Sequence, residues 1–103
     1  MARQKFDGVV EVVHLKPDGQ VDWVRAYLRR GAAFSDHIKL DRSTLVEQIK
    51  SGKRYLTGKR IPLMAGSFVV DQPLRVVPKN GKEVLVTGEL QSEQDRLEGV
   101  PVI

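Results

Sequence analysis

The chain contains no cysteine, which removes disulfide frameworks, thiol nucleophiles and zinc-thiolate clusters from the functions open to it. Histidine is nearly as scarce: His14 and His37 are the only two. Neither has a second histidine or a carboxylate at the helical or strand spacing of a metal pair, so no metal and no cofactor is expected. No apolar run is long enough for a membrane span or a signal peptide, and the start, Met1-Ala2-Arg3-Gln4-Lys5, is polar. The expected location is therefore the cytoplasm, with no membrane partner. With 103 residues there is no room for a second core, although one domain of this size buries roughly two thirds of the surface its unfolded chain exposes.

What is present in excess is positive charge: 17 Lys and Arg stand against 13 Asp and Glu, a net of +4. Its distribution is uneven. Within residues 89–103, Glu89, Glu93, Asp95 and Glu98 oppose only Arg96, a net of −3, which leaves +7 on the rest. A basic body with an acidic tail suits a polyanion for which the tail competes, and it equally suits solubility charge on a solvated surface. Residues 1–88 are expected to form the β-rich domain, and residues 89–103 an acidic tail whose apolar end, Val100-Pro101-Val102-Ile103, docks on the domain or on a partner.

Strand signals dominate the chain. Residues 6–15 are rich in valine and run into Pro17-Asp18-Gly19, where Pro presets φ, Asp bonds locally and Gly supplies positive φ; residues 21–30 form the return strand. A second hairpin joins residues 74–79 and 82–87 through Asn80-Gly81, a pair that tolerates the positive φ of a type I′ turn. Between the hairpins, Thr44-Leu45-Val46-Glu47 has capping-box spacing, Leu45 and Ile49 share a helical face and Gly52 supplies a stop, predicting one helix over residues 42–51, with Ser43 and Thr44 as caps. Residues 37–40 before it and 68–70 after it read as strands. Asp71 interrupts the second of these and marks a bulge before Pro73. In the tail, residues 92–98 have the makings of a helical turn ending at Gly99. The expected fold is mainly β (α+β): a small, partly open antiparallel β-barrel or a curled sheet with one short helix between the third and fourth strands. An oligonucleotide-binding-type barrel resembles this in placing a helix at the same point, an analogy of architecture that does not fix function.

Two constellations carry candidate chemistry. Ser51-Gly52-Lys53-Arg54 and Thr57-Gly58-Lys59-Arg60 echo each other, and glycine followed by lysine suggests phosphate binding. The Walker pattern fails: five residues separate Gly52 and Gly58, Arg60 follows Lys59, and the predicted helix precedes the loop instead of following it. What survives is an acid-free basic segment in which Lys53, Arg54, Lys59 and Arg60 are candidate phosphate contacts, with Tyr55 available to stack on a base. The ordinary alternative is that these cations complement the helix C-terminus and cover a turn.

The second constellation lies on the return strand of the first hairpin, where alternation puts Trp23, Arg25, Tyr27 and Arg29 on one face and Val24, Ala26 and Leu28 on the other. Trp23 and Tyr27 interleaved with arginines suit a single-strand stacking platform. A three-residue turn would pair Lys16 with Gln20, and hence Val13 with Trp23, Glu11 with Arg25, Val9 with Tyr27 and Asp7 with Arg29. Both arginines would then have acidic neighbours, as on a structural face. Both faces of this hairpin are apolar, so a single short helix leaves a face to be covered by the chain itself, by the tail or by a second subunit. His14 would face Asp22, a local contact more than a catalytic dyad, and Ser35-Asp36-His37 are neighbours that do not converge as a triad must.

These features point to a non-enzymatic basic binding module for single-stranded nucleic acid or another polyanion. The alternative is a homo-oligomeric scaffold or protein-interaction subunit that self-associates through the first hairpin and the C-terminal apolar residues.

Overall fold

The valine-rich start folds back on itself where the turn residues require it: Gly19 adopts φ 91°, Asp18 Oδ1 accepts from the Gln20 amide at 2.9 Å, and Lys16 N donates to Gln20 O at 2.8 Å. The computed structural model describes residues 6–30, 33–35, 37–61, 68–79, 81–89, 92 and 94–103, and for Arg30, Ala33, Phe34, Arg60 and Phe68 the main chain alone. Its elements run β1 (Gly8–Leu15), β2 (Val21–Arg30), β3 (Ala33–Phe34), β4 (Ile38–Asp41), α1 (Arg42–Lys50), β5 (Tyr55–Arg60), β6 (Phe68–Lys79) and β7 (Lys82–Thr87). They build one mixed sheet in the order β3-β2-β1-β5-β6-β7, with β4 also on β2. β1 and β5 run parallel, and the other pairs are antiparallel.

Setting aside the two-residue β3, three strands precede the helix and three follow it, the order the sequence predicts, but two memberships differ. Tyr55-Leu56-Thr57 opens a strand where the repeated Gly-Lys-Arg suggests a basic turn. Gly58 sits inside that strand because a Cβ there would lie 2.3 Å from Val69 O. Residues 68–70 and 74–79 are one strand, β6, which pairs with β5 through its first half and with β7 through its second. The bulge expected at Asp71 joins the halves: Leu56 pairs with Pro73 and Gly58 with Val70, so Asp71 and Gln72 together oppose Thr57. The buried Thr57 hydroxyl accepts from Gln72 N at 3.1 Å, satisfying an amide the bulge frees.

Helix α1 begins one turn earlier than a Thr44 cap implies. Asp41 is the N-cap, accepting from Thr44 N at 2.8 Å and from the Ser43 hydroxyl at 3.2 Å, so Ser43 and Thr44 lie in the first turn. The stop at Gly52 is a Schellman motif, with Lys53 N donating to Gln48 O at 3.0 Å and Gly52 N to Ile49 O at 3.1 Å, at φ 105°. In the second hairpin Lys79 pairs with Lys82 and Gly81 adopts φ 78°; Asn80 lies outside the described residues.

The sheet remains open yet curls until its ends approach. The Asp95 carboxylate accepts from Val21 N of β2 through Oδ2 and from Leu85 N of β7 through Oδ1, both at 2.9 Å. Three strands separate β2 from β7 in the sheet order, so one side chain bridges an opening that strand pairing does not close. Arg42, at the start of α1, joins the same carboxylate through Nε at 2.8 Å and an Nη at 3.1 Å. The tail has no helical turn at residues 94–98: Arg96 N bonds Leu85 O, bridging Arg96 to Val86, and Val102 bridges Val13 of β1. Leu97 and Val100 enter the core with Val10, Val24, Leu45 and Leu85. Among the described residues no helix is long and apolar enough to cross a membrane.

Candidate functional site

Two compensating bulges decide which side chains meet on the outward face of the first hairpin. At both ends the register is the one the turn predicts, Lys16 with Gln20 and Val9 with Tyr27. Between them Glu11 is an extra residue on β1 and Asp22 an extra residue on β2, so Val12 stands opposite Arg25, Val13 opposite Val24 and His14 opposite Trp23. The expected pairs Glu11 with Arg25 and Val13 with Trp23 are not formed, because one turn sets one register and bulges further along shift it.

The result is a grid of three strands. β4 pairs with the free edge of β2, placing Lys39 beside Arg25 and Asp41 beside Trp23, and the His37 ring meets Tyr27 edge-on at 5.9 Å. Read from β4 through β2 to β1, the rows are His37-Tyr27-Val9, Lys39-Arg25-Val12 and Asp41-Trp23-His14. Val24 and Ala26, facing the other way, have no exposure at all.

The central row matters most electrostatically. Arg25 and Lys39 are directly opposed like charges, an arrangement that costs stability unless an anion intervenes. The acid that the predicted register gave Arg25 is displaced by the bulge, and the Glu11 carboxylate instead accepts from the Tyr27 hydroxyl at 3.4 Å. Arg25 has no ion pair or hydrogen bond among the described residues. Lys39 places its ammonium 4.7 Å from the centre of the Trp23 ring. Asp41 is committed to the helix: the Thr44 hydrogen bonds hold its carboxyl below the usual carboxylate range, so it stays ionised at the N-cap.

The stacking residues fare differently. Trp23 is half-buried, with His14 stacked on it at 5.1 Å and 17° and Lys39 over it from the strand on the other side. Tyr27 is 6% exposed and Tyr55 2%. The Tyr55 hydroxyl donates to Gln48 Oε1, and burial first, then the Asp7 charge, push its phenol up. Neither tyrosine offers a base an open ring face: strand alternation turns Tyr55 into the core, and Tyr27 is buried with Glu11 on its hydroxyl and His37 against its ring.

The candidate phosphate contacts separate. Lys53, Arg54 and Lys59 are exposed, but Lys59 lies five residues beyond Arg54, about 17 Å along an extended strand. The side chain of Arg60 is outside the described residues. Arg54 meets the end of the grid: Asp7 N donates to Arg54 O at 2.7 Å and Arg29 N to Asp7 O at 2.8 Å, so Arg29, Asp7 and Arg54 form a further row. Sequence reasoning missed Lys39, whose signal was its place between Ile38 and Leu40 on a strand able to pair with β2.

A concavity of about 520 Å³ surrounds Arg42 and Asp95. Most of its charged groups are engaged within the chain, Lys82 being the exception among the described residues. Asp95 holds Arg42 and two amides, Glu83 pairs with Lys50 at 2.7 Å and Asp18 accepts from Gln20 N. Burial pushes the Asp95 carboxyl up, but the bonds from Arg42, Leu85 N and Val21 N and the Arg42 charge outweigh it and hold it below the usual range. This is a structural clamp. His14 and His37 stand at opposite corners of the grid, and His14 Nε2 is 3.9 Å from Asp22 Oδ2, beyond hydrogen-bond length. No protein family model, no curated protein and no solved structure matches this chain.

Proposed function

We propose that the protein is a non-enzymatic module that binds single-stranded nucleic acid or a similar polyanion through the outward face of β2 and β4. The observation that carries this reading is the Arg25 and Lys39 pair: adjacent like charges, the first half-buried and the second exposed, with the expected acidic partner removed by a bulge. An anion bridging them relieves their repulsion. Arg29 and Arg54 stand beyond this pair at the sheet end, with Asp7 between them. Because Trp23 already has His14 and Lys39 on its ring and both tyrosines are enclosed, recognition runs through phosphates, with little reading of bases.

Trp23 is the only tryptophan, and its ring carries Lys39, so its emission reports directly on this face. Titrating a short oligothymidylate at low salt should change that emission saturably, and Arg25→Gln with Lys39→Gln should move the change to much higher oligothymidylate concentration. Lys59→Ala, at the far end of β5, should leave it nearly intact. An unchanged emission together with no binding would end the proposal.

The self-association reading draws on Val102 and Ile103, which are 61% and 52% exposed. The first hairpin lends it less, since Val9, Val10, Val13 and Tyr27 are covered within one chain. A solution mass above 11.6 kDa at micromolar concentration would favour it.

A further inference from the structure

Both histidines of the chain occupy the same face, at diagonally opposite corners of the grid, with the Arg25 and Lys39 pair between them. Histidine is the side chain that ordinarily changes charge between pH 5 and 8. Resting on the polyanion reading of this face, we infer that the face is proton-gated: His14 and His37 act as two switchable cations that strengthen polyanion binding as pH falls.

The geometry of His14 fixes where its proton goes. Nδ1 lies 2.9 Å from the main-chain oxygen of Ile103, and that oxygen only accepts, so Nδ1 carries the hydrogen in the neutral ring. A second proton enters at Nε2, which points toward Asp22 Oδ2 at 3.9 Å. The protonated ring keeps its tail contact and gains an ion pair, so gating requires no refolding. The same ring is stacked on Trp23, whose other neighbour is the Lys39 ammonium. Charging His14 therefore places two cations around one indole and raises the cost of leaving the face without an anion.

His37 is exposed and rests its ring against Tyr27; protonation adds a cation in the row next to Lys39 and Arg25. The other acids on this face have partners of their own. Asp41 is committed to α1 through Thr44 and Ser43, and Glu11 holds the Tyr27 hydroxyl. Asp22 is the one acidic side chain positioned to answer His14, and His37 has no such partner among the described acids. Arg29, on the same strand face, is a further cation.

The test uses the whole chain and a short oligothymidylate, with affinity measured against salt at pH 5 and pH 8, the limits of the ordinary histidine range. The log-log salt dependence should steepen at pH 5 by about 0.7 for each histidine engaged, the increment for one phosphate of a single strand. His14→Gln with His37→Gln should lose the steepening, its slopes at pH 5 and pH 8 agreeing with each other, with unfolding temperatures at both pH values showing that each protein remains folded. Equal slopes at the two pH values in the wild type, or a steepening that survives the double substitution, would overturn the gating while leaving the polyanion reading standing. Absence of binding at both pH values would overturn both.

Discussion

Asp95→Ala is the sharpest perturbation of the fold that presents this face. The carboxylate has 1% of its side chain exposed and takes four hydrogen bonds, two from Arg42 and one each from Val21 N and Leu85 N. Val21 and Leu85 have no exposure at all, so truncation strands two buried amides, each costing about 1–3 kcal/mol when unsatisfied. It also leaves Arg42 without its counter-charge. Breaking a buried pair from one side costs about 3–5 kcal/mol, but Arg42 is 21% exposed and recovers part of this from water. We expect a net loss of about 3–5 kcal/mol, a large share of the roughly 5–15 kcal/mol available to a domain. At a urea slope of about 1–3 kcal/mol/M, the unfolding midpoint should fall by more than about 1 M.

The same clamp makes a pH prediction of definite sign. The Asp95 carboxyl is held below its ordinary range in the folded protein, so its contribution is fully present above the unfolded-state value near 4 and is lost as pH falls through the lower folded value. Wild-type stability should decline over that acid window more steeply than that of the Asp95→Ala variant. A loss under about 1 kcal/mol at neutral pH, with parallel acid profiles, would refute the reasoning that one carboxylate holds the curled sheet together.

Trp23→Ala should cost about 1–2 kcal/mol, the loss of a ring stack and a cation contact on a half-buried side chain, and leave the solution mass unchanged; thermal unfolding and light scattering check both. A loss of roughly 3–5 kcal/mol would mark it instead as a core residue. Gly58→Ala should destabilise by about 1–3 kcal/mol in urea titration, because its Cβ would press on the main-chain oxygen of Val69 and nothing flexible can yield.

The parts of the fold written in local chemistry were legible in the sequence. Pro17-Asp18-Gly19, the Gly81 turn, the Gly52 stop and the bulge at Asp71 all follow from what those residues do to their own backbone. Features decided by distant partners were not. Asp95 reads as one more acid in a charged tail until Val21, Leu85 and Arg42 arrive from three other elements. Glu11 reads as the partner of Arg25 until a bulge within β1 turns it toward Tyr27. Tyr55 looked like a stacking residue because Lys53, Arg54 and Lys59 surround it in sequence, while a parallel pairing with β1 carried its ring into the core. Of the two candidate surfaces, the Trp23 face is the one that gains a cation from a distant element, Lys39 of β4.

The most direct measurement is the salt dependence of oligothymidylate binding by the wild type and by Arg25→Gln with Lys39→Gln. The proposed face requires wild-type affinity to fall linearly on a log-log plot as salt rises, and the double substitution to flatten that slope by about 1.4, or 0.7 for each lost phosphate contact. An unchanged slope in the variant, or wild-type binding indifferent to salt, would contradict it.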